Sequence, residues 1–140
     1  MRITTIPIAV FLLGLAIPAQ ADIKRDEELC GTSEKNHDIV IGACTRLIQS
    51  GRYEDFLVAV AFYNRGNSYK SKGQYDRAIQ DYDQAIRLDP KHAYAFGNRA
   101  WVYEKMGRRD KAIRDYKKVY DLGIRPDWLV EKLRKFGALP

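Results

Sequence analysis

Residues 59–92 read AVAFYNRGNSYKSKGQYDRAIQDYDQAIRLDPKH, and residues 93–126 read AYAFGNRAWVYEKMGRRDKAIRDYKKVYDLGIRP. Ala59, Ala61, Phe62, Asn64, Arg65, Tyr69 and Gly73 recur 34 positions later as Ala93, Ala95, Phe96, Asn98, Arg99, Tyr103 and Gly107. Asp76, Ala78, Ile79, Asp81, Tyr82 and Leu88 recur as Asp110, Ala112, Ile113, Asp115, Tyr116 and Leu122. A fixed period in the range of roughly 20–50 residues is the mark of stacked supersecondary units.

Each copy divides into two helical segments. The first is predicted over Asp55 to Lys72, with Phe56, Ala59, Phe62, Gly66 and Tyr69 on its inner stripe. Gly73 stops it, because glycine alone takes a left-handed backbone at little cost. The second runs from Tyr75 to Leu88 and ends at Asp89-Pro90, where proline cannot continue the hydrogen-bond ladder. The next copy predicts helices from His92 to Met106 and from Arg109 to Asp121. A last helix spans Pro126 to Phe136, with Leu129, Leu133 and Phe136 as its apolar stripe, and covers the end of the stack. Glu104–Arg108, Asp110–Arg114 and Glu131–Lys135 are spaced four apart with the acid first, the favourable order for surface pairs.

Ahead of the repeats, Val40, Ile41, Cys44, Leu47 and Ile48 recur at helical spacing until Gly51. They align with Ala78, Ile79, Tyr82, Ala85 and Ile86, so residues 37–51 read as the second helix of a degenerate first unit. The polar stretch Asp22 to Glu34 predicts irregular chain or a short helix ending at Cys30, with the unit's first helix missing or much reduced.

Residues 1–21 carry a signal-peptide layout: Arg2, an apolar run from Ile3 to Ile17, then Ala19-Gln20-Ala21. Pro7, Gly14 and Pro18 interrupt the run, which is short for a bilayer span of about 20 residues. Cleavage would leave one small domain, residues 22–140, in the periplasm or outside the cell, with no stable membrane span. The two cysteines, Cys30 and Cys44, then face an oxidising compartment and are expected to form a disulfide. Cys30, His37 and Cys44 do not suit a metal. Steps of seven residues rise about 10 Å each along a helix, too far for the ligands to converge on one ion.

Charge is uneven. Residues 22–96 carry 11 Lys/Arg against 12 Asp/Glu, and residues 97–140 carry 12 against 6. A basic half attracts nucleic acid, anionic surfaces or acidic proteins, and export disfavours nucleic acid. Arg108, Arg109, Lys111, Arg114, Lys117 and Lys118 form either a solvated helix face or a dock for an anionic partner.

The pattern Phe62…Gly66…Tyr69…Ala78…Tyr82…Pro90, followed by Phe96…Ala100…Tyr103…Ala112…Tyr116, resembles the tetratricopeptide family. The resemblance implies an all-α stack of helical hairpins, an α-solenoid, with a C-terminal capping helix. It also implies that Gly66, Ala100, Ala78 and Ala112 let paired helices approach closely while the aromatics fill the spaces between hairpins. Two departures stand out. Arg65 and Arg99 occupy places where the family usually has Leu, so each must reach an acid or extend its stem to water. Ile124 also stands where the second copy would close with Pro.

In that family the first helices of the hairpins line a concave groove for a peptide or partner segment. Here the groove positions are Tyr63, Asn64, Asn67, Lys70 and Ser71, then Tyr94, Gly97, Asn98, Trp101 and Glu104. Asn side chains can both donate to and accept from a peptide backbone. Some relatives clamp a terminal carboxylate with Asn and Lys or Arg, for which Asn64, Asn67, Asn98, Lys70, Arg65 and Arg99 are the candidates. Asn64 and Asn67 also suit a purely structural role. His37 and His92 are the only neutral-pH bases, and no phosphate-binding glycine loop or nucleophile motif is present, so neither catalysis nor a cofactor is expected. The leading expectation is a protein- or peptide-binding scaffold of the cell envelope. Binding of an anionic envelope polymer, membrane surface or acidic protein through the basic half is the alternative, and self-association through the end faces stays open.

Overall fold

The computed structural model describes residues 17–32 and 35–140. The expected leader falls mostly on residues 1–16, outside the described part. Among the described residues seven helices follow one another: α1 (Ile17–Gly31), α2 (His37–Ser50), α3 (Asp55–Ser71), α4 (Tyr75–Leu88), α5 (Ala93–Lys105), α6 (Arg109–Asp121) and α7 (Asp127–Lys135). They pair as the hairpins α1–α2, α3–α4 and α5–α6, and α7 packs on α6. The fold is the all-α hairpin stack that the repeat implies.

In the first hairpin the helical alternative holds, with a leading helix, α1, that ends at Gly31 beside Cys30, but that helix is not missing or much reduced. It carries no aliphatic stripe to advertise itself, because other forces dock it. The Cys30–Cys44 disulfide ties it to α2, with the two Cα atoms 4.9 Å apart. Asp26, buried in the hairpin, takes a two-pronged ion pair from Arg46 of α2. A bridge closing a loop of this size contributes roughly 3 kcal/mol by the chain-entropy account. Both thiols are consumed, so Cys30, His37 and Cys44 offer no thiolate to a metal.

Between α3 and α4, and again between α5 and α6, the chain turns on a left-handed glycine: Gly73 and Gly107 both have φ of 71°. The N–H of Gln74 donates to the Tyr69 carbonyl at 2.9 Å, and that of Arg108 to the Tyr103 carbonyl at 2.8 Å. This six-to-one closure satisfies carbonyls that the helix end would otherwise orphan. Within the α3–α4 hairpin, Gly66 answers a different need. A Cβ there would lie 2.8 Å from the Tyr82 ring.

The larger core runs through α4 to α7. Tyr82, Tyr116, Leu129 and Leu133 are sealed from water among Ala78, Ala95, Ala100 and Ala112. A smaller core holds Cys30, Val40, Ala43, Cys44 and Ala61. Phe56 departs from its expected inner stripe: it is 62% exposed, at the solvent side of the α3 entry.

The two unusual arginines reach acids. Arg65 forks onto Asp81 with two bonds of 2.8 Å, and Arg99 onto Asp115 at 2.7 and 2.8 Å. Each also reaches the preceding hairpin: Arg65 donates to the Thr45 hydroxyl at 2.9 Å, and Arg99 pairs with Asp83. Each guanidinium lies over two rings of its own helix, Phe62 and Tyr69 for Arg65, Phe96 and Tyr103 for Arg99. Burial opposes the Arg99 charge, but hydrogen bonds and attraction from Asp115 and Asp83 outweigh it and hold the pKa above its ordinary value. The charged partners, Asp81 and Asp115, are themselves among the residues repeated at the 34-residue period.

Candidate functional site

The first helix of each hairpin faces the same side of the stack, and α7 continues the series. A shift of 34 residues carries Tyr94 to Trp128, Asn98 to Lys132 and Lys70 to Glu104. The concave side therefore has a gap between α3 and α5 and an equivalent gap between α5 and α7.

Four of the expected groove residues meet in the first gap. The Asn98 amide donates to the Asn67 carbonyl oxygen at 2.8 Å and to the Tyr63 hydroxyl at 3.2 Å. Its own carbonyl oxygen accepts from the Lys70 Nζ at 3.2 Å. Asn67 also accepts the hydroxyl of buried Tyr82 at 2.8 Å. The asparagines thus fix each other and the floor, which leaves the Lys70 ammonium and the Asn67 amino group to act outward. Burial pushes the Lys70 pKa down from its ordinary value. Its ammonium sits 5.5 Å from the centre of the Trp101 ring, and Lys105 lies 5.1 Å from the same ring. Among the described residues, no carboxylate lies within ion-pair distance of Lys70.

His92 closes the edge of this gap. Its ring stacks 4.8 Å from that of Tyr63, and its Nδ1 accepts the Ala95 N–H at 3.4 Å, capping α5. Burial lowers its pKa, keeping it neutral and able to accept.

The second gap encloses a cavity of about 450 Å³ lined by Tyr94, Trp101, Tyr116, Trp128, Asn98 and Lys132 with aliphatic neighbours. Tyr94 is 70% exposed and Trp128 55%. Glu104 does not pair with Arg108 as its spacing suggested. Its carboxylate takes Lys132 at 2.7 and 3.0 Å and the Tyr116 hydroxyl at 2.9 Å, while Arg108 turns to Asp76 at 3.8 Å. Burial works against the Glu104 charge, but the bonds from Lys132 and Tyr116 prevail and hold its pKa low.

Asn64 stands apart from the network, between the first and second hairpins, where it lines cavities beside α1. Ser71 is on that side too, exposed. Arg65 and Arg99 are committed to Asp81 and Asp115 and are not free to clamp a ligand. Tyr116, Trp128 and Lys132 were missed as groove residues. The period itself would have found the last two, since it projects Tyr94 and Asn98 onto them. The α6 cations divide: Lys111 and Arg114 line a hollow with Arg99, Asp83 and Asp115, and Arg109 lies over Phe136.

A tetratricopeptide repeat family profile matches residues 59–92, and a second one matches residues 81–114. No curated protein matches the chain. Among solved structures, it is similar to the second TPR of Spaghetti (RPAP3) bound to the HSP90 peptide SRMEEVD. That match has 26% identity and a TM-score of 0.61, over 74% of this chain and 91% of the other. The first TPR of the same protein, bound to the same peptide, matches at 19% identity and a TM-score of 0.68, over 85% of this chain and 90% of its own. MamA matches at 20% identity and a TM-score of 0.50, over 83% of this chain and 77% of its own. The period of the sequence, the glycine-stopped hairpins and the two profile matches meet in one conclusion: residues 59–114 of this chain are tetratricopeptide repeats.

Proposed function

We propose that the protein is a binding scaffold whose concave face takes a segment of a partner polypeptide, with a partner carboxylate seated at Lys70 in the gap between α3 and α5. The observation that carries this reading is the half-buried Lys70 ammonium, held by the Asn98 amide and the Trp101 ring with no carboxylate partner among the described residues. An ammonium partly withdrawn from water gains most from a ligand that brings the opposite charge. The peptide in the similar solved complexes, SRMEEVD, has three acidic side chains, which supports the same chemistry here. Tyr94, Trp101 and Trp128 supply exposed rings of the kind that dominate interface energies. The signal-peptide layout of residues 1–21 supports an envelope or extracellular setting.

The test is an array of acidic peptides against the same sequences with Gln and Asn replacing Glu and Asp. Selective retention of the acidic set is expected, surviving about 0.5 M salt, where screening is short-ranged. Lys70→Met should abolish that selectivity while the helical circular dichroism stays intact. Equal retention of both sets, or undiminished retention by Lys70→Met, overturns the reading. Retention lost in salt alike by wild type and Lys70→Met would favour the exposed basic half instead.

A further inference from the structure

A second site lies at the other end of the concave face. Between α1, the end of α2 and the start of α3 is a cavity of about 330 Å³, walled by Leu47, Leu57, Val60 and Ala61 beside the disulfide at Cys30. That volume is at the low end of ligand pockets, roughly 300–1,000 Å³. Leu57 is 50% exposed, and its neighbour Phe56 is the most exposed phenylalanine among the described residues. Large apolar side chains left in water around an apolar hollow mark a docking surface.

Among the described residues, Glu27 is the one charged residue in the wall. One of its oxygens accepts the Tyr53 hydroxyl at 2.7 Å, and the other has no partner among the described residues. The surroundings share its sign: residues 22–55 carry 8 Asp/Glu against 5 Lys/Arg. Glu27 thus gives this cavity a negative wall residue, whereas the Lys70 site is cationic.

We propose that this cavity docks a basic amphipathic segment of a partner polypeptide, its apolar side chains filling the hollow over Leu57 and Val60 and a Lys or Arg meeting Glu27. Charge complementarity selects the occupant. An acidic segment would set its carboxylates against Glu27, and like charges placed together at a docking site disfavour that occupant. The site does not depend on the Lys70 reading, because the two use different helices and opposite charges.

The probe is a labelled short peptide of Leu and Lys, with a Leu and Glu counterpart of the same pattern, titrated into the disulfide-bonded protein. The Leu/Lys peptide should bind, the Leu/Glu peptide about tenfold or more weakly. Leu57→Asp and Glu27→Lys should each weaken the first by about tenfold, a loss of roughly 1.4 kcal/mol. Glu27→Gln keeps an acceptor for Tyr53 and should weaken it less. Lys70→Met should leave it unchanged. Leu57 and Glu27 are exposed, so the variants should keep the wild-type thermal midpoint. Backbone amide shifts should concentrate at Leu57, Val60 and Ala61. Equal binding of both peptides, indifference to Glu27→Gln and Glu27→Lys, or shifts centred on the α3–α5 gap would each overturn the proposal.

Discussion

The gap between α3 and α5 and the gap between α5 and α7 sit one period apart, yet they handle charge in opposite ways. In the first, a lysine reaches across to an amide, Lys70 to Asn98. In the second, the equivalent positions are Glu104 and Lys132, and they neutralise each other while Glu104 also holds the Tyr116 hydroxyl. The floor is the same in both: a fully buried tyrosine from the second helix whose hydroxyl must find an acceptor. Asn67 provides it in one gap and Glu104 in the other. The repeat thus conserves shape while leaving the ionic lining free to differ. One gap keeps a spare cation, and the other brings its own counter-ion.

The most severe way to break the comparison is to remove what both repeats share. Asp115→Ala should cost about 3–5 kcal/mol, because it strands the Arg99 guanidinium in a partly dry site with only Asp83 left. Chemical denaturation should show a midpoint far below wild type, and a loss under 1 kcal/mol would mean the fork is incidental. Next comes the first hairpin, which neither gap includes. Cys30→Ala with Cys44→Ala should lower stability by about 2–4 kcal/mol, seen as early loss of amide protection in α1 with α5 and α6 still protected.

Ala78→Leu overfills the contact between α3 and α4 and should cost about 1–3 kcal/mol; an unchanged denaturation midpoint would refute close helix approach as the reason for alanine there. The smallest effect is the sharpest. Glu104 has its pKa lowered by Lys132 and Tyr116, so its contribution is present above its unfolded value and fades as pH falls through the lower folded one. The pair is partly exposed, so this term is below about 1 kcal/mol. Glu104→Gln should flatten the stability profile on the acid side of pH 4.5. It should also release Lys132 and raise the affinity of the second gap for acidic peptides several-fold, which peptide titration can read. No gain in binding would mean that the two gaps differ in more than the counter-ion.

The repeat made the hairpins, their glycine stops and their small contact residues legible, because all of these return at one spacing. The first helix was legible only as one of two alternatives, since Asp26 and Cys30 hold α1 through an ion pair and a covalent bond instead of an apolar stripe. Phe56 was misplaced for a related reason: helical spacing places a residue on a face, but the entry turn of α3 has no neighbour to cover that face. In the site, residue positions followed from the repeat, but residue duties did not. Asn67 and Asn98 spend their amides on Tyr82, Tyr63 and each other, and only the placement of α4 and α5 reveals it.

The guanidinium of Arg65 or Arg99, sandwiched among rings and forked onto an aspartate, gives the hairpins an unusual response to heat. Hydration of ions weakens as temperature rises, so the cost of keeping such charges out of water shrinks on warming, whereas the benefit of an aliphatic side chain levels off. A chain with apolar residues in place of both arginines and of Asp81 and Asp115 would therefore match this one best when cool and fall behind it as the temperature climbs.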